Sequence, residues 1–148
     1  MRGWCGVLVG ALAVYLGAAQ TAASAKAQDA RKPPTSVRDG IYTDAQAARG
    51  KVLYKDECAI CHGEDLKGDE VAPVPALLDK PFLSRWENRP LSDLWDRISV
   101  SMPQDSPGHL SQEAYRDIVA YLLQSNGFPA GREEFPSDRD VLKGIALK

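Results

Sequence analysis

Five consecutive residues, Cys58-Ala59-Ile60-Cys61-His62, place two thiols and an imidazole within one turn of backbone. The spacing C-x-x-C-H is the attachment sequence of a c-type haem. The two thiols add across the two haem vinyl groups as thioethers, and the adjacent imidazole reaches the iron. Because both vinyl groups are fixed on one macrocycle, the spacing of the thiols is constrained. The motif therefore predicts one covalent haem c, with Cys58 and Cys61 as attachment sites and His62 as an axial ligand of the iron.

Three other interpretations of the motif remain open, although haem attachment is favoured over each. A thioredoxin-like redox pair would follow a strand, whereas residues 45–57 have the pattern of a helix. A zinc site could take Cys58, Cys61, His62 and His109, but such a site usually closes with a second tightly spaced pair, and His109 stands alone. The third alternative is a structural Cys58–Cys61 disulfide.

A haem that carries electrons needs a sixth ligand, and a thioether is expected because Met/His ligation raises the reduction potential. The chain has two methionines, and Met1 lies in a predicted targeting segment. Met102 lies in a loop with Pro103, Pro107 and a glycine, which keep that loop stiff and non-helical. We therefore expect Met102 to be the second metal ligand. His109 is the alternative imidazole ligand, and otherwise a surface residue.

The loop at residues 63–78 is rich in glycine and proline and follows the motif directly. A ligating histidine usually donates its other N–H to a carbonyl, which fixes the tautomer and the ring plane. We expect the carbonyl of Pro75 to take this role and Leu77 to meet the haem face, unless these residues only shape the loop. Arg85 and Trp86 are candidates for contact with a haem propionate, and core packing is the alternative for Trp86.

The N-terminus has the pattern of an export signal, with Arg2 before an apolar run of fifteen residues and two A-x-A sites at 23–25 and 25–27. The run is shorter than the roughly 20 residues of a membrane span, although a retained anchor stays an alternative. We expect residues 1–25 to be a signal peptide, 26–38 a flexible leader, 39–131 the folded domain and 132–148 a C-terminal extension. The expected location is the periplasm.

Charge and cysteine content exclude two classes of protein. Residues 1–25 contain one basic and no acidic residue, so the remaining chain has 17 Lys and Arg against 20 Asp and Glu. This mildly acidic balance offers no basic surface for nucleic acid. Both cysteines that remain lie in the motif, so an exported chain of this kind does not depend on disulfides.

The rest of the chain predicts an all-α domain of three to four helices joined by long loops that contain Pro and Gly. One helix begins after Thr43 and runs to about residue 58, and another begins after Ser111 and ends at residues 126–127. A third starts at Ser92, and a short turn covers 81–86. Gly50 inside the first helix indicates close approach of the last one, at Tyr121 or Leu122, unless it is simply an exposed glycine.

These residues together resemble a class I c-type cytochrome of the exported bacterial kind. The matching segments are Gly50-x-x-x-Tyr54, Cys58 to Gly63, Pro75-Ala76-Leu77, Met102-Pro103 and the helix from Tyr115 to Leu123. The resemblance implies a small helical fold, one low-spin haem c and one-electron transfer, with His62 and Met102 as axial ligands. Residues 91–95, 107–108, 120–123 and 126–127 are similar to the cytochrome c domains found with quinoprotein (PQQ-dependent) dehydrogenases.

The chain departs from the mitochondrial branch of that family, because Val74 replaces the glycine before Pro75 and no lysine-rich ring is evident. We therefore expect a periplasmic electron carrier, not an enzyme, that links a dehydrogenase to a downstream cytochrome or oxidase. Its partners would be redox proteins, with no small-molecule substrate. Two alternatives remain: a haem enzyme or gas or redox sensor with a labile distal ligand, and an electron-transfer subunit of a larger dehydrogenase.

Overall fold

The structure is a computed structural model that describes residues 32–148, and this part of the chain consists of helices and loops. Its α-helices are α1 (Asp44–Glu57), α2 (Ala59–His62), α3 (Asp79–Trp86), α4 (Leu91–Ser101), α5 (Gln112–Ser125) and α6 (Arg139–Lys143). A 3-10 helix at Val37–Asp39 precedes them, and isolated bridges are the only β-type pairing in this part of the chain. The all-α prediction is confirmed. The predicted signal peptide lies outside the described residues, and so does the first half of the predicted leader.

The helix starts follow from capping chemistry that the sequence shows. The Thr43 hydroxyl accepts a hydrogen bond from the backbone N–H of Gln46 at 3.2 Å, and the Ser111 hydroxyl accepts one from that of Ala114 at 3.1 Å. Both predicted starts are therefore confirmed. The short helices α2 and α6 were not predicted, because segments of four and five residues carry no readable periodicity. No helix between residues 32 and 148 has the length and apolarity needed to cross a membrane.

Helices α1 and α5 make the most extensive contact between two helices of residues 32–148. A Cβ atom added at Gly50 would lie 1.8 Å from the backbone oxygen of Asp117, so only glycine allows the two backbones to meet here. The predicted close approach is thus confirmed, although it occurs at Asp117 and not at Tyr121 or Leu122. Beside it, the Arg49 guanidinium donates to both oxygens of the buried Asp117 carboxylate at 2.6 and 2.8 Å.

The last residues of the chain belong to the same hydrophobic core as the helices. Buried side chains of this segment are Phe135, Leu142, Ile145 and Leu147. The backbone N–H of Leu91 donates to Ile145 O at 2.8 Å, and that of Val37 donates to Ala146 O at 3.1 Å. The buried Gln46 side chain of α1 accepts from the N–H of Phe135 at 2.7 Å. The core therefore extends beyond the predicted bounds of 39–131 on both sides, because the two flanking segments pair with each other and fill it.

Replacing Gly50 by Ala should destabilise the protein by about 1–3 kcal/mol or more, since the added methyl group overlaps a backbone carbonyl that cannot rotate away. Urea unfolding, followed by tryptophan fluorescence, measures the change. Gly144→Ala is the matched control, because its Cβ would lie 3.4 Å from the nearest atom, an ordinary contact. Equal stability of the two variants would contradict the predicted overlap at the helix crossing.

Candidate functional site

One cavity of about 450 Å³ brings together the six residues that the sequence predicts as attachment sites, ligands and close neighbours of a haem. Its lining includes Cys58, Cys61, His62, Pro75, Leu77 and Met102. The volume lies within the range of roughly 300–1,000 Å³ that is typical of cofactor and ligand sites. The motif, the loop after it and the methionine are therefore neighbours in space, although Cys58 and Met102 are 44 positions apart in the chain.

The motif lies at the junction of α1 and α2, where the chain turns sharply. Cys58 leaves helical geometry at φ −123° and ψ −33°, and its carbonyl accepts from the N–H of Cys61 at 3.2 Å and of His62 at 2.9 Å. The buried Tyr54 hydroxyl donates to the backbone oxygen of Gly63 at 2.7 Å. This bond ties the residue after His62 back to α1, so the orientation of the turn is set by a side chain outside the motif.

The imidazole of His62 has the hydrogen bond that a ligating histidine needs. Its Nδ1 lies 2.9 Å from the carbonyl oxygen of Pro75. Since a carbonyl oxygen can only accept, Nδ1 carries the proton and Nε2 keeps a lone pair for a metal ion. The loop that presents Pro75 is fixed by Asn126, which donates to Leu77 O at 3.0 Å and accepts from the N–H of Asp79 at 2.9 Å. Sequence reasoning assigned Asn126 only to the helix end.

Met102 is the residue at which α4 ends, and two hydrogen bonds hold its backbone. Its N–H donates to Ile98 O at 3.2 Å, and its carbonyl accepts from the buried Tyr115 hydroxyl at 2.7 Å. The His109 ring, the alternative ligand, does not line the cavity. Instead its Nε2 lies 3.2 Å from a carboxylate oxygen of Glu57. Of the two candidates for a sixth ligand, Met102 is thus the one that the fold brings to the cavity.

The geometry does not favour the other interpretations of the motif. Burial raises the pKa of the Cys58 thiol to about 12, whereas the reactive cysteine of a thioredoxin-like pair has a lowered pKa. Both cysteines are free thiols in this structure. Within residues 32–148 no three His, Cys, Asp or Glu side chains converge as a metal site, and His109, which does not line the cavity, faces Glu57, which does.

The remaining walls suit a flat apolar ring that carries two carboxylates. Apolar side chains line most of the cavity, namely Leu77, Leu94, Ile98, Ile118 and Leu122. Two exposed cations, Arg85 and Arg97, also reach it, and Arg97 was missed by sequence reasoning because nothing in its local pattern distinguishes it from a solvated charge. Trp86 both lines the cavity and packs in the core, while Trp95 is a core residue. These donors and walls fit a haem c.

Two comparisons with known proteins match this chain. The family described as cytochrome c oxidase, cbb3-type, subunit III matches residues 45–122, which is more than half of the chain. The chain belongs to this family of cytochrome c domains. The sulfane dehydrogenase SoxCD from Paracoccus pantotrophus is similar in structure, with a TM-score of 0.53 and 30% identity, over 68% of this chain and 52% of that chain. No curated protein matches the sequence.

The class I c-type cytochrome that the sequence resembles is therefore the right family, and the chain is a haem electron-transfer domain. The chain spans about half the length of the SoxCD chain that it matches. Neither match is to a quinoprotein-associated cytochrome, so that finer resemblance stays a prediction. The axial ligands, the thioether bonds and the partner stay predictions as well.

Proposed function

We propose that this protein is an exported one-electron carrier with a single covalent haem c. Cys58 and Cys61 form the thioethers, and His62 and Met102 ligate the iron from its two sides. The observation that carries the proposal is the bond from His62 Nδ1 to Pro75 O at 2.9 Å, made in the same cavity that both thiols and Met102 line. When bound, the haem supplies reversible one-electron chemistry.

The protein's residues set the conditions for that chemistry. Neutral His62 and the thioether of Met102 form a ligand pair that raises the reduction potential. The apolar walls keep water away, which further disfavours the more highly charged ferric state. With both axial positions filled by side chains, no site remains for a substrate, so the protein acts by exchanging electrons with other proteins. A haem enzyme or sensor, the alternative, would need Met102 to leave the iron readily.

The cellular context is proposed from the N-terminus and from the SoxCD match. Residues 1–25 direct export to the periplasm, and if they were retained they would anchor the domain to the membrane. A second candidate role is that of an electron-transfer subunit in a larger dehydrogenase. The similarity to the sulfane dehydrogenase SoxCD, at 30% identity, favours that role. Neither role changes the function of the haem site itself.

The surface around the motif indicates the kind of partner. Ile60 and Val71 are the most exposed large apolar side chains of residues 32–148, at 90% and 94%, and Cys61 beside Ile60 is exposed too. Residues 51–70 contain six acidic and three basic side chains, and two of these bases pair with local acids. We infer a redox partner that offers a small apolar contact within a basic rim, because opposite charges steer docking.

Covalent attachment is tested by expressing the chain in a host with the haem c maturation machinery. The intact protein should gain the mass of one haem that survives denaturation, and its pyridine haemochrome spectrum should show two thioether bonds. Cys58→Ala and Cys61→Ala should each give a spectrum typical of one thioether bond. Colourless protein with two thiols that react with an alkylating reagent would refute the haem assignment.

Replacing Met102 by Ala should lower the reduction potential by roughly a hundred millivolts or more, because it removes the thioether ligand. It should also open a coordination position, so that carbon monoxide binds the reduced variant rapidly while wild type reacts slowly. His109→Ala is the control and should keep a wild-type absorbance spectrum. If the potential and spectrum were unchanged in Met102→Ala and altered in His109→Ala, the ligand assignment would be wrong.

The charge of the docking surface predicts a salt effect on electron transfer. The bimolecular rate with a small basic redox protein should fall about tenfold or more between low and high ionic strength, because salt screens the attraction. Glu70→Lys should lower the rate at low salt, whereas Glu133→Lys, which lies outside the acidic segment at residues 51–70, should change it little. A rate that rises with salt would contradict an acidic docking surface.

A further inference from the structure

One ion pair joins the two segments that hold the haem ligands. His109 Nε2 lies 3.2 Å from Glu57 Oε2, and the two side chains are 39% and 32% exposed. Glu57 is the last residue of α1, directly before Cys58, while His109 closes the loop that begins at Met102. We call this pair the Glu57–His109 latch. Neither residue is a predicted ligand or attachment site.

The His109 ring bridges its own loop and α1. Its Nδ1 lies 2.9 Å from the backbone oxygen of Ser106, which can only accept, so this nitrogen is the donor. Its Nε2 faces the Glu57 carboxylate, and a proton on that nitrogen makes the contact attractive. Asp105, the other acid of the same loop, accepts from the Ser106 hydroxyl at 3.3 Å.

The latch acts at the end of the loop where the backbone is otherwise weakly held. At the start, the carbonyl of Met102 is bound by the buried Tyr115 hydroxyl. At the far end, the His109 N–H makes one long bond of 3.4 Å to Ser106 O, and Leu110 is partly buried against the core. Between the two ends, prolines limit bending, so movement at His109 is transmitted toward Met102.

We propose that Glu57 and His109 are positioning residues that hold the Met102 loop closed over the haem. The inference rests on the proposed ligation by His62 and Met102. While the latch is formed, the loop stays docked against the turn that carries Cys58, and the thioether stays at the iron. When it breaks, Met102 leaves more often and the distal position becomes accessible to a small ligand. The Glu57–His109 latch therefore determines how often Met102 leaves and a small ligand can enter.

Carbon monoxide binding to the reduced, haem-loaded protein tests the latch, because Met102 must leave the iron before the gas can bind. Glu57→Gln and His109→Gln should each raise the binding rate about fivefold, the effect expected for loss of a partly exposed ion pair. The double variant should bind no faster than the faster single variant, since either substitution breaks the same contact. The visible spectrum of each variant before the gas is added should remain that of wild type.

Glu64→Gln is the matched control. It removes an equal charge close to the motif, but Glu64 pairs with Lys55 of α1 and does not touch the Met102 loop. Its binding rate should equal that of wild type. An increase in Glu64→Gln as large as in Glu57→Gln would assign the effect to net charge and overturn the latch. Additive effects in the double variant would overturn it as well.

Failure of the latch and failure of the proposed ligation give different results. If Met102 does not ligate the iron, wild type binds carbon monoxide as fast as Met102→Ala does. If Met102 is the ligand and the latch is wrong, wild type, Glu57→Gln and His109→Gln all bind slowly and at one rate, while Met102→Ala binds rapidly. The inference is supported only if carbon monoxide binds Met102→Ala rapidly, wild type slowly, and the two latch variants at intermediate rates.

Discussion

The backbone contact of α1 with α5 at Gly50 is the constraint on which the site depends. Helix α1 leads into the C-x-x-C-H turn and carries Tyr54, which fixes the residue after His62. Helix α5 carries Tyr115 and is followed by Asn126, which bind the Met102 backbone and the loop of Pro75. The C-x-x-C-H turn, the Met102 backbone and the Pro75 loop are thus each bonded to one of two helices whose backbones meet at Gly50. A shift of either helix would move one wall of the cavity relative to another.

The hydrogen bonds that hold the loops in place are all of one kind. A side chain from a helix donates to a backbone carbonyl of a loop: Tyr54 to Gly63, Tyr115 to Met102, and Asn126 to Leu77. Loop carbonyls that lack a helical partner must find a donor when they are buried. The same bonds that satisfy these carbonyls fix the loops that hold the haem. Order in the loops therefore comes from the helices and not from the loop sequences alone.

The features that the sequence predicted depend on local chemistry. The features that it did not predict depend on how distant segments are placed in the fold. The C-x-x-C-H spacing, the caps at Thr43 and Ser111 and the glycine inside α1 each carry their meaning within a few residues. Asn126, Arg97 and the Glu57–His109 pair have ordinary local patterns, and their roles arise only when distant segments meet. His109 illustrates the difference. The sequence showed that its ring could be a ligand, but it did not show that the ring contacts Glu57, which lies 52 positions earlier in the chain.

The buried position of the C-terminal segment also depends on tertiary placement, and it helps to explain how a small domain can enclose so large a cavity. A cavity removes apolar contacts from the core around it, and side chains facing it lose packing partners. Ile145 and Leu147 are fully buried, and their backbones bond to residues 88–91, which lead into α4. Helix α4 contributes Leu94 and Ile98 to the cavity lining. The terminal segment thus supports the start of a helix that forms one wall of the cavity.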